Sequence, residues 1–211
     1  MTGLLTASNF FVFVLCYLIG SFPTAYVFVK LKSDKDITKE GSGNVGTLNS
    51  FKVSGSKIVG ASVLLIDLLK GLLPVYIMMF PLSIAYPSVM LGACGLILGH
   101  NFPVWLKFKG GRGLATGAGI FFVVNYFILI GWCLVWLIVF SLKKRVLISN
   151  TVATFCMPLY IILVNNFDWL VVNSAIFGFS LTYFTVFSIV ITIIILSRHT
   201  EVFKNLFQKK S

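Results

Sequence analysis

LATGAGIFFVVNYFILIGWCLVWLIVFSL, residues 114–142, runs for 29 positions without a charged side chain. One helix of that length is about 43 Å long, too long for a bilayer core of ~30 Å unless strongly tilted. Two short spans turning near Asn125, each of about 14 residues, fit the same stretch. Charge decides between them. Of the 17 Lys and Arg, six lie from Lys30 to Lys57, three from Lys107 to Arg112, three from Lys143 to Arg145 and four from Arg198 to Lys210; Lys70 alone stands apart. Cytoplasmic loops of membrane proteins collect such cations. If the four clusters share one side, the chain crosses an even number of times between Arg112 and Lys143. The stretch therefore reads as a hairpin of shortened or partly buried helices.

The rest of the chain agrees with a membrane reading. It is 58% hydrophobic and 11% charged, with a mean hydropathy of +0.98. Soluble domains are about 25% charged. That leaves little room for a separate soluble domain, and residues 1–211 are expected to form a single transmembrane domain. The net charge of +11 belongs to the loops, and the composition excludes a nucleic-acid module. No Lys or Arg precedes Lys30, so the positive region of a signal peptide is missing and the first span is expected to be retained. Cys16, Cys94, Cys133 and Cys156 each stand alone in an apolar run and read as small hydrophobes. The two histidines, His100 and His199, form no HExxH pattern, and no metal is expected.

Working outward, Phe10 to Val29 is the first span, with Gly20 and Ser21 seating a neighbour and Pro23 bending it. Lys30 to Lys57 is a polar loop. Ile58 to Phe80 is the second span, and Leu82 to Gly99 the third, flanked or opened by Pro81 and Pro87, with a start near Ser88 as the alternative. After the hairpin come Val146 to Val164, an external turn at Asn165–Asp168, and Trp169 to Ser197. The expected fold is all-α and polytopic, with about seven transmembrane helices, the N-terminus outside and the C-terminus cytoplasmic. The segments before Phe10, around Pro81 and at Asn165 carry no Lys or Arg, as that parity requires.

Two polar islands interrupt the apolar sequence on the side assigned to the cytoplasm. One is Gly41-Ser42-Gly43-Asn44-Val45-Gly46. The other runs from Gly99-His100-Asn101-Phe102-Pro103 to Lys109-Gly110-Gly111-Arg112-Gly113. Glycine lets consecutive backbone N–H groups turn inward on an anion. Ser42, Asn44 and Asn49 offer hydrogen bonds, Arg112 a two-pronged fork, and Lys52, Lys107 and Lys109 further charge. Asp67 and Lys70 lie three apart on one helix face, with Asp67 about 14 Å along the helix from Ile58. Charges at that depth face a polar cavity or each other. An inert Asp–Lys pair that locks packing is one reading; a functional site is the other. Basic loops that merely bind lipid headgroups account for the islands but need no intramembrane acid. The chain has no G-x-S-x-G elbow, no P-loop and no acid spaced to partner His100. Chemistry here would rest on positioning and charge around an already activated substrate.

Taken together in order, Gly41-Ser42-Gly43-Asn44-Val45-Gly46-Thr47-Leu48-Asn49, then Asp67-Leu68-Leu69-Lys70-Gly71, then Gly99-His100-Asn101-Phe102-Pro103 with Phe108-Lys109-Gly110-Gly111-Arg112-Gly113-Leu114-Ala115-Thr116, resemble the bacterial acyl-phosphate:glycerol-3-phosphate acyltransferase family (PlsY) over essentially the whole chain. The resemblance implies a seven-span enzyme of the bacterial inner membrane with its active site facing the cytoplasm. It would transfer a fatty acyl group from acyl phosphate to the 1-hydroxyl of glycerol 3-phosphate, giving lysophosphatidic acid and phosphate, without metal or other cofactor. Its partners would be those two substrates and membrane lipids. Carried over residue by residue, Ser42, Asn44, Asp67, Lys70 and His100 would be catalytic. Gly43, Asn49, Lys52, Lys109, Gly110, Gly111, Arg112, Gly113 and His199 would bind substrate. A substrate phosphate or Asp67 would take the hydroxyl proton, with substrate assistance favoured.

The chain departs from the family pattern in places. Thr47-Leu48 stands where Ala-Thr is usual, Lys52 for arginine, Arg112 for lysine, and His199-Thr200-Glu201-Val202 for His-Arg-x-Asn. The Lys–Arg exchanges keep charge but not geometry. Three other readings stand beside the enzyme. One is a transporter of a phosphorylated or anionic solute, coupled through Asp67 and Lys70. The second is a family member that has lost or altered its catalysis. The third is a membrane protein whose basic loops only bind anionic lipid.

Overall fold

The computed structural model describes residues 6–164 and 181–199. All of their regular structure is helical, and they fall into two compact units that divide between Val123 and Val124.

In the first unit, α1 (Ala7–Gly20) starts where the Thr6 hydroxyl accepts from the Asn9 N–H, and it stops short of Pro23. Proline has no N–H to give a helix and a fixed φ. Here φ is −86° and ψ 62°, an inverse γ-turn that the Thr24 N–H closes on the Phe22 carbonyl at 2.9 Å. α2 (Thr24–Ser33) then resumes. The bend expected in the first span is thus a complete break, although Ala7–Ser33 together has the length and apolarity to cross a membrane.

α5 (Tyr86–Asn101) packs along α1 through glycines. Gly92, Gly95 and Gly99 recur at three and four residues and so share a face. A Cβ on Gly95 would lie 2.6 Å from the Phe13 carbonyl, one on Gly99 would overlap the Tyr17 carbonyl, and one on Gly20 that of Leu96. The two backbones touch, as small residues allow between membrane helices. Tyr17 locks the far end by donating its hydroxyl to the Phe102 carbonyl at 2.8 Å. The third span was expected over Leu82–Gly99, with a start near Ser88 as the alternative. It starts later, because Pro87 fits only the first helical turn, and it runs on to carry His100 and Asn101.

α4 (Lys57–Met79) is capped by Ser56, whose hydroxyl accepts from the Val59 N–H. It meets α6 (Leu114–Val124) backbone to backbone, with Gly71 against the Thr116 carbonyl and Gly119 against that of Leu68. The segment expected as a polar loop from Lys30 to Lys57 holds the end of α2 and a further helix, α3 (Thr47–Ser54). It is folded because Ile37 and Val45 are buried in one apolar cluster with Ala25, Val29, Val59 and Val63. Asp36 makes its turn by accepting from the Thr38 hydroxyl at 2.7 Å and the Thr38 N–H at 3.0 Å, which holds its carboxyl below the usual carboxylate range.

Residues 114–142 break where the sequence pointed. Asn125 is extended, with φ −163°, and its side chain accepts from the Phe127 N–H, capping α7 (Tyr126–Lys143). The two helices have 11 and 18 residues rather than equal lengths. In the second unit, α7 packs on α8 (Val146–Val164) and α8 on α9 (Leu181–Leu196). Trp136 donates to Asn150 at 2.6 Å, Trp132 to Thr154 at 3.1 Å, and Tyr160 to the Phe127 carbonyl at 3.1 Å. The expected turn at Asn165–Asp168 and the start of the last span at Trp169 lie outside the described residues.

Among the described residues, five helical stretches are long and apolar enough to cross a membrane: Ala7–Ser33, Lys57–Met79, Tyr86–Leu106, Tyr126–Lys143 and Val146–Leu163. Leu114–Val124 and Thr182–Leu196 are apolar but shorter, so a count of seven spans rests on them as well. Large apolar side chains cover the outside, among them Phe10 at 71% exposure, Phe11 at 66% and Ile138 at 61%. Apolar side chains on the outer surface as well as in the core suit helices that face lipid.

Candidate active site

Asp67 sits mid-way along α4, with only 3% of its side chain exposed. A carboxylate there needs partners. Lys70, one turn on, supplies the first at 2.8 Å and is itself 8% exposed. His100, at the end of α5, brings Nδ1 to 3.7 Å from the same oxygen, Asp67 Oδ1. That separation exceeds a hydrogen bond and becomes an ion pair when the imidazole is protonated. Lys70 also reaches across to the break after α1, donating to the Phe22 carbonyl at 3.3 Å.

The opposite edge of the His100 ring abuts backbone. The Gly111 N–H donates to the His100 carbonyl at 3.1 Å. A Cβ on Gly111 would overlap the imidazole at Nε2 and lie 2.9 Å from the Val45 carbonyl. A Cβ on Gly110 would overlap the His100 carbonyl. The glycines are thus required by close approach, and the two islands, far apart in sequence, meet at His100. The chain reaches this point through a one-turn 3-10 helix, Val104–Leu106, and left-handed residues Lys107 and Phe108. Gly113, with φ 78°, then turns into α6. The first island turns at Gly41 and Gly43, with φ 59° and 68°, and runs into α3, whose N-terminus no side chain caps. Each island therefore ends on a helix N-terminus, where free N–H groups and the helix dipole favour an anion.

The sequence-derived candidates divide among these places. Asp67, Lys70, His100, Gly110 and Gly111 come together. Ser42 is exposed, and its hydroxyl accepts from the Asn44 N–H at 3.4 Å, while Asn44 is half-buried. Gly43 serves the turn, and a Cβ there would press on the Thr38 carbonyl at 3.2 Å. Asn49 is buried at 3% and spends its amide on the loop: Nδ2 donates to the Ile37 and Glu40 carbonyls, and Oδ1 accepts from the Ser42 N–H. It shapes the island rather than lining it. Lys52 on α3 and Lys109 are exposed cations, and Arg112 is half-buried between Gly111 and Gly113. His199 belongs to the second unit, where it is buried and its Nδ1 lies 2.9 Å from the Ile195 carbonyl.

Four features escaped the sequence reading: the carbonyl of Phe22, and the hydroxyls of Ser21, Thr24 and Thr116. The three hydroxyls are buried without a hydrogen-bond partner among the described residues. Ser21-Phe22-Pro23-Thr24 is a polar interruption of an apolar run, a signal read from the sequence as packing and a bend and not as part of the site.

A family model described as glycerol-3-phosphate acyltransferase matches residues 10–209. The glycerol-3-phosphate acyltransferase of Pelagibacter ubique (strain HTCC1062) is 33% identical over 195 residues, covering 92% of this chain and 91% of its own. That of Staphylococcus aureus (strain JH9) is 35% identical over 167 residues, covering 76% and 82%. The crystal structure of PlsY, an integral membrane glycerol 3-phosphate acyltransferase, in its glycerol 3-phosphate form superposes with a TM-score of 0.79 at 31% identity, covering 97% of this chain and 94% of that one. Its lysophosphatidic acid form superposes with a TM-score of 0.76 at 30% identity.

Proposed function

The chain belongs to the glycerol-3-phosphate acyltransferase family, and on that premise we propose that it acylates the 1-hydroxyl of glycerol 3-phosphate from an acyl phosphate. The observation that carries this reading is the meeting of the two glycine-rich islands, at Val45 and Gly111, beside a buried Asp67–His100 contact. Both substrates carry a phosphate, and each island leads into a helix N-terminus, which suits an anion. The hydroxyl oxygen forms the new ester bond to the acyl carbon. The bond from that carbon to the phosphate oxygen breaks, and the hydroxyl proton leaves on the released phosphate. No strong nucleophile is required of the protein, because acyl phosphate is already activated.

Lys52, Lys109 and Arg112 are suited to neutralising the phosphates, and Ser42, Asn44 and the N–H groups of Gly110, Gly111 and Gly113 to holding their oxygens. Asp67 is nearly inaccessible and already paired with Lys70, which favours the substrate phosphate over Asp67 as proton acceptor. His100 presents the polar edge between the islands.

The same reading makes the chain one catalytic domain of seven spans in the bacterial inner membrane, with the N-terminus outside and the islands and C-terminus cytoplasmic. The five long and two shorter apolar helices support it. So does the alternation of cationic and cation-free connections.

The test uses purified protein in detergent with palmitoyl phosphate and glycerol 3-phosphate, following phosphate release and lysophosphatidate together. Equal yields of both products, lost in Asp67→Ala, are expected. A folded protein that makes neither product across several chain lengths would overturn the proposal.

A further inference from the structure

Lys70 is the one cation of the chain outside the four loop clusters, and the structure gives it an unusual partner. In an unbroken helix the Phe22 carbonyl would accept from the N–H four residues on. The break at Pro23 diverts it. Thr24 closes the γ-turn on that oxygen, and the next helical bond runs from the Val27 N–H to the Pro23 carbonyl. A carbonyl oxygen has two lone pairs, and the second is taken by Lys70 Nζ. The ammonium thus stands between Asp67 Oδ1 at 2.8 Å and Phe22 O at 3.3 Å. Asp67 Oδ1 in turn faces His100 Nδ1, and the Nε2 edge of that ring abuts Gly111.

We propose that Lys70 is a positioning residue: anchored on the carbonyl freed by the break at Pro23, it holds Asp67 toward His100 and does not itself bind substrate phosphate. The proposal rests on the acyltransferase reading of the site. A phosphate drawn onto Lys70 would have to pull it from a buried carboxylate, leaving that charge unpaired where it is most costly. The pair as built is neutral and contributes no net attraction to an anion. The break in the first span then has a purpose: it provides the second acceptor that keeps Lys70 from swinging toward the islands.

The test begins with wild-type turnover; if there is none, the acyltransferase reading fails before the role of Lys70 is addressed. Given turnover, Lys70→Met is expected to lower kcat by about tenfold or more, with KM for both substrates within about twofold of wild type. Lys70→Arg, which keeps a cation and its donors, restores most of the rate. Pro23→Ala lets the helix re-form and compete for the Phe22 carbonyl, so it lowers kcat alone but adds less than about twofold in the Lys70→Met background. A second readout is independent of turnover. With only His100 and His199 in the chain, selectively labelled histidine gives two imidazole signals, assigned with His199→Gln. Both Lys70→Met and Pro23→Ala are expected to move the His100 signal, although Lys70→Met, by leaving Asp67 without its partner, also lowers thermal stability. A merely structural Lys70 would lower stability and leave that signal in place. A rise in KM of about tenfold with kcat retained would overturn the proposal and return Lys70 to the phosphates. So would independent, multiplicative effects of the two substitutions, or an unmoved His100 signal. Should Lys70→Met not fold, Pro23→Ala paired with Lys70→Arg carries the same comparison.

Discussion

Gly111 shows how little freedom the site has at single positions. Its missing side chain is the space in which the His100 imidazole lies, bounded behind by the Val45 carbonyl. Gly111→Ala is expected to displace His100 and cost at least about tenfold in kcat/KM, a loss of ~1.4 kcal/mol in transition-state binding. The thermal midpoint should stay near wild type, because the strain falls on a loop. Wild-type turnover by that variant would show that His100 does not need its present place. The unpartnered hydroxyls make the opposite case. Removing a buried hydroxyl that bonds to nothing costs the fold little. Ser21→Ala and Thr116→Val are expected to leave the melting temperature in detergent unchanged or slightly higher. A clear drop would reveal a bonded partner and contradict the geometry.

At the scale of elements, the close pairing of α1 with α5 carries the site, since α5 ends in His100 and α1 ends in the break that anchors Lys70. That pairing depends on glycines in backbone contact, and a larger residue has nowhere to go. Gly99→Leu is expected to destabilise by more than the ~1–3 kcal/mol of ordinary overpacking, because the obstacle is the Tyr17 carbonyl rather than a movable side chain. Loss of a monodisperse peak on size exclusion would register it, and an unchanged melting temperature would sink it. The motif glycines thus serve two ends. Gly110 and Gly111 make room for His100 within the site, while Gly71, Gly95 and Gly99 bring helices together around it. A sequence pattern does not separate these uses.

At the scale of the whole molecule, the cation clusters make a topological prediction. In a variant freed of Cys16, Cys94, Cys133 and Cys156, single cysteines at positions 35, 109 and 144 are expected to label from one side of sealed vesicles. Cysteines at positions 84 and 125 should label from the other. Labelling of 109 and 144 from opposite sides would remove the hairpin at Asn125 and with it the seven-span count. Lys107 to Arg112 and Lys143 to Arg145 are the clusters that decide this, because only the crossings between them were ambiguous by length.

Composition and charge suffice to make this chain an all-α polytopic membrane protein, since continuous apolar runs of about 20 residues cross hydrocarbon as helices, whereas barrel strands are about half as long and alternate in polarity. The break at Asn125 was legible too, because a polar residue inside 29 uncharged ones has few uses. The three motifs, read in order, pointed to the family that the comparisons identify. What the local pattern did not contain was distance. That Asn49 folds its own loop, that the polar stretch after Lys30 contains a helix held by Ile37 and Val45, and that Lys70 leans on the Phe22 carbonyl all depend on contacts between residues remote in sequence. Hydrophobic periodicity reports which side of a helix is buried. Only the packing of α1, α4, α5 and α6 decides which buried polar groups find one another, because each such contact is the meeting of two backbones that no single segment encodes.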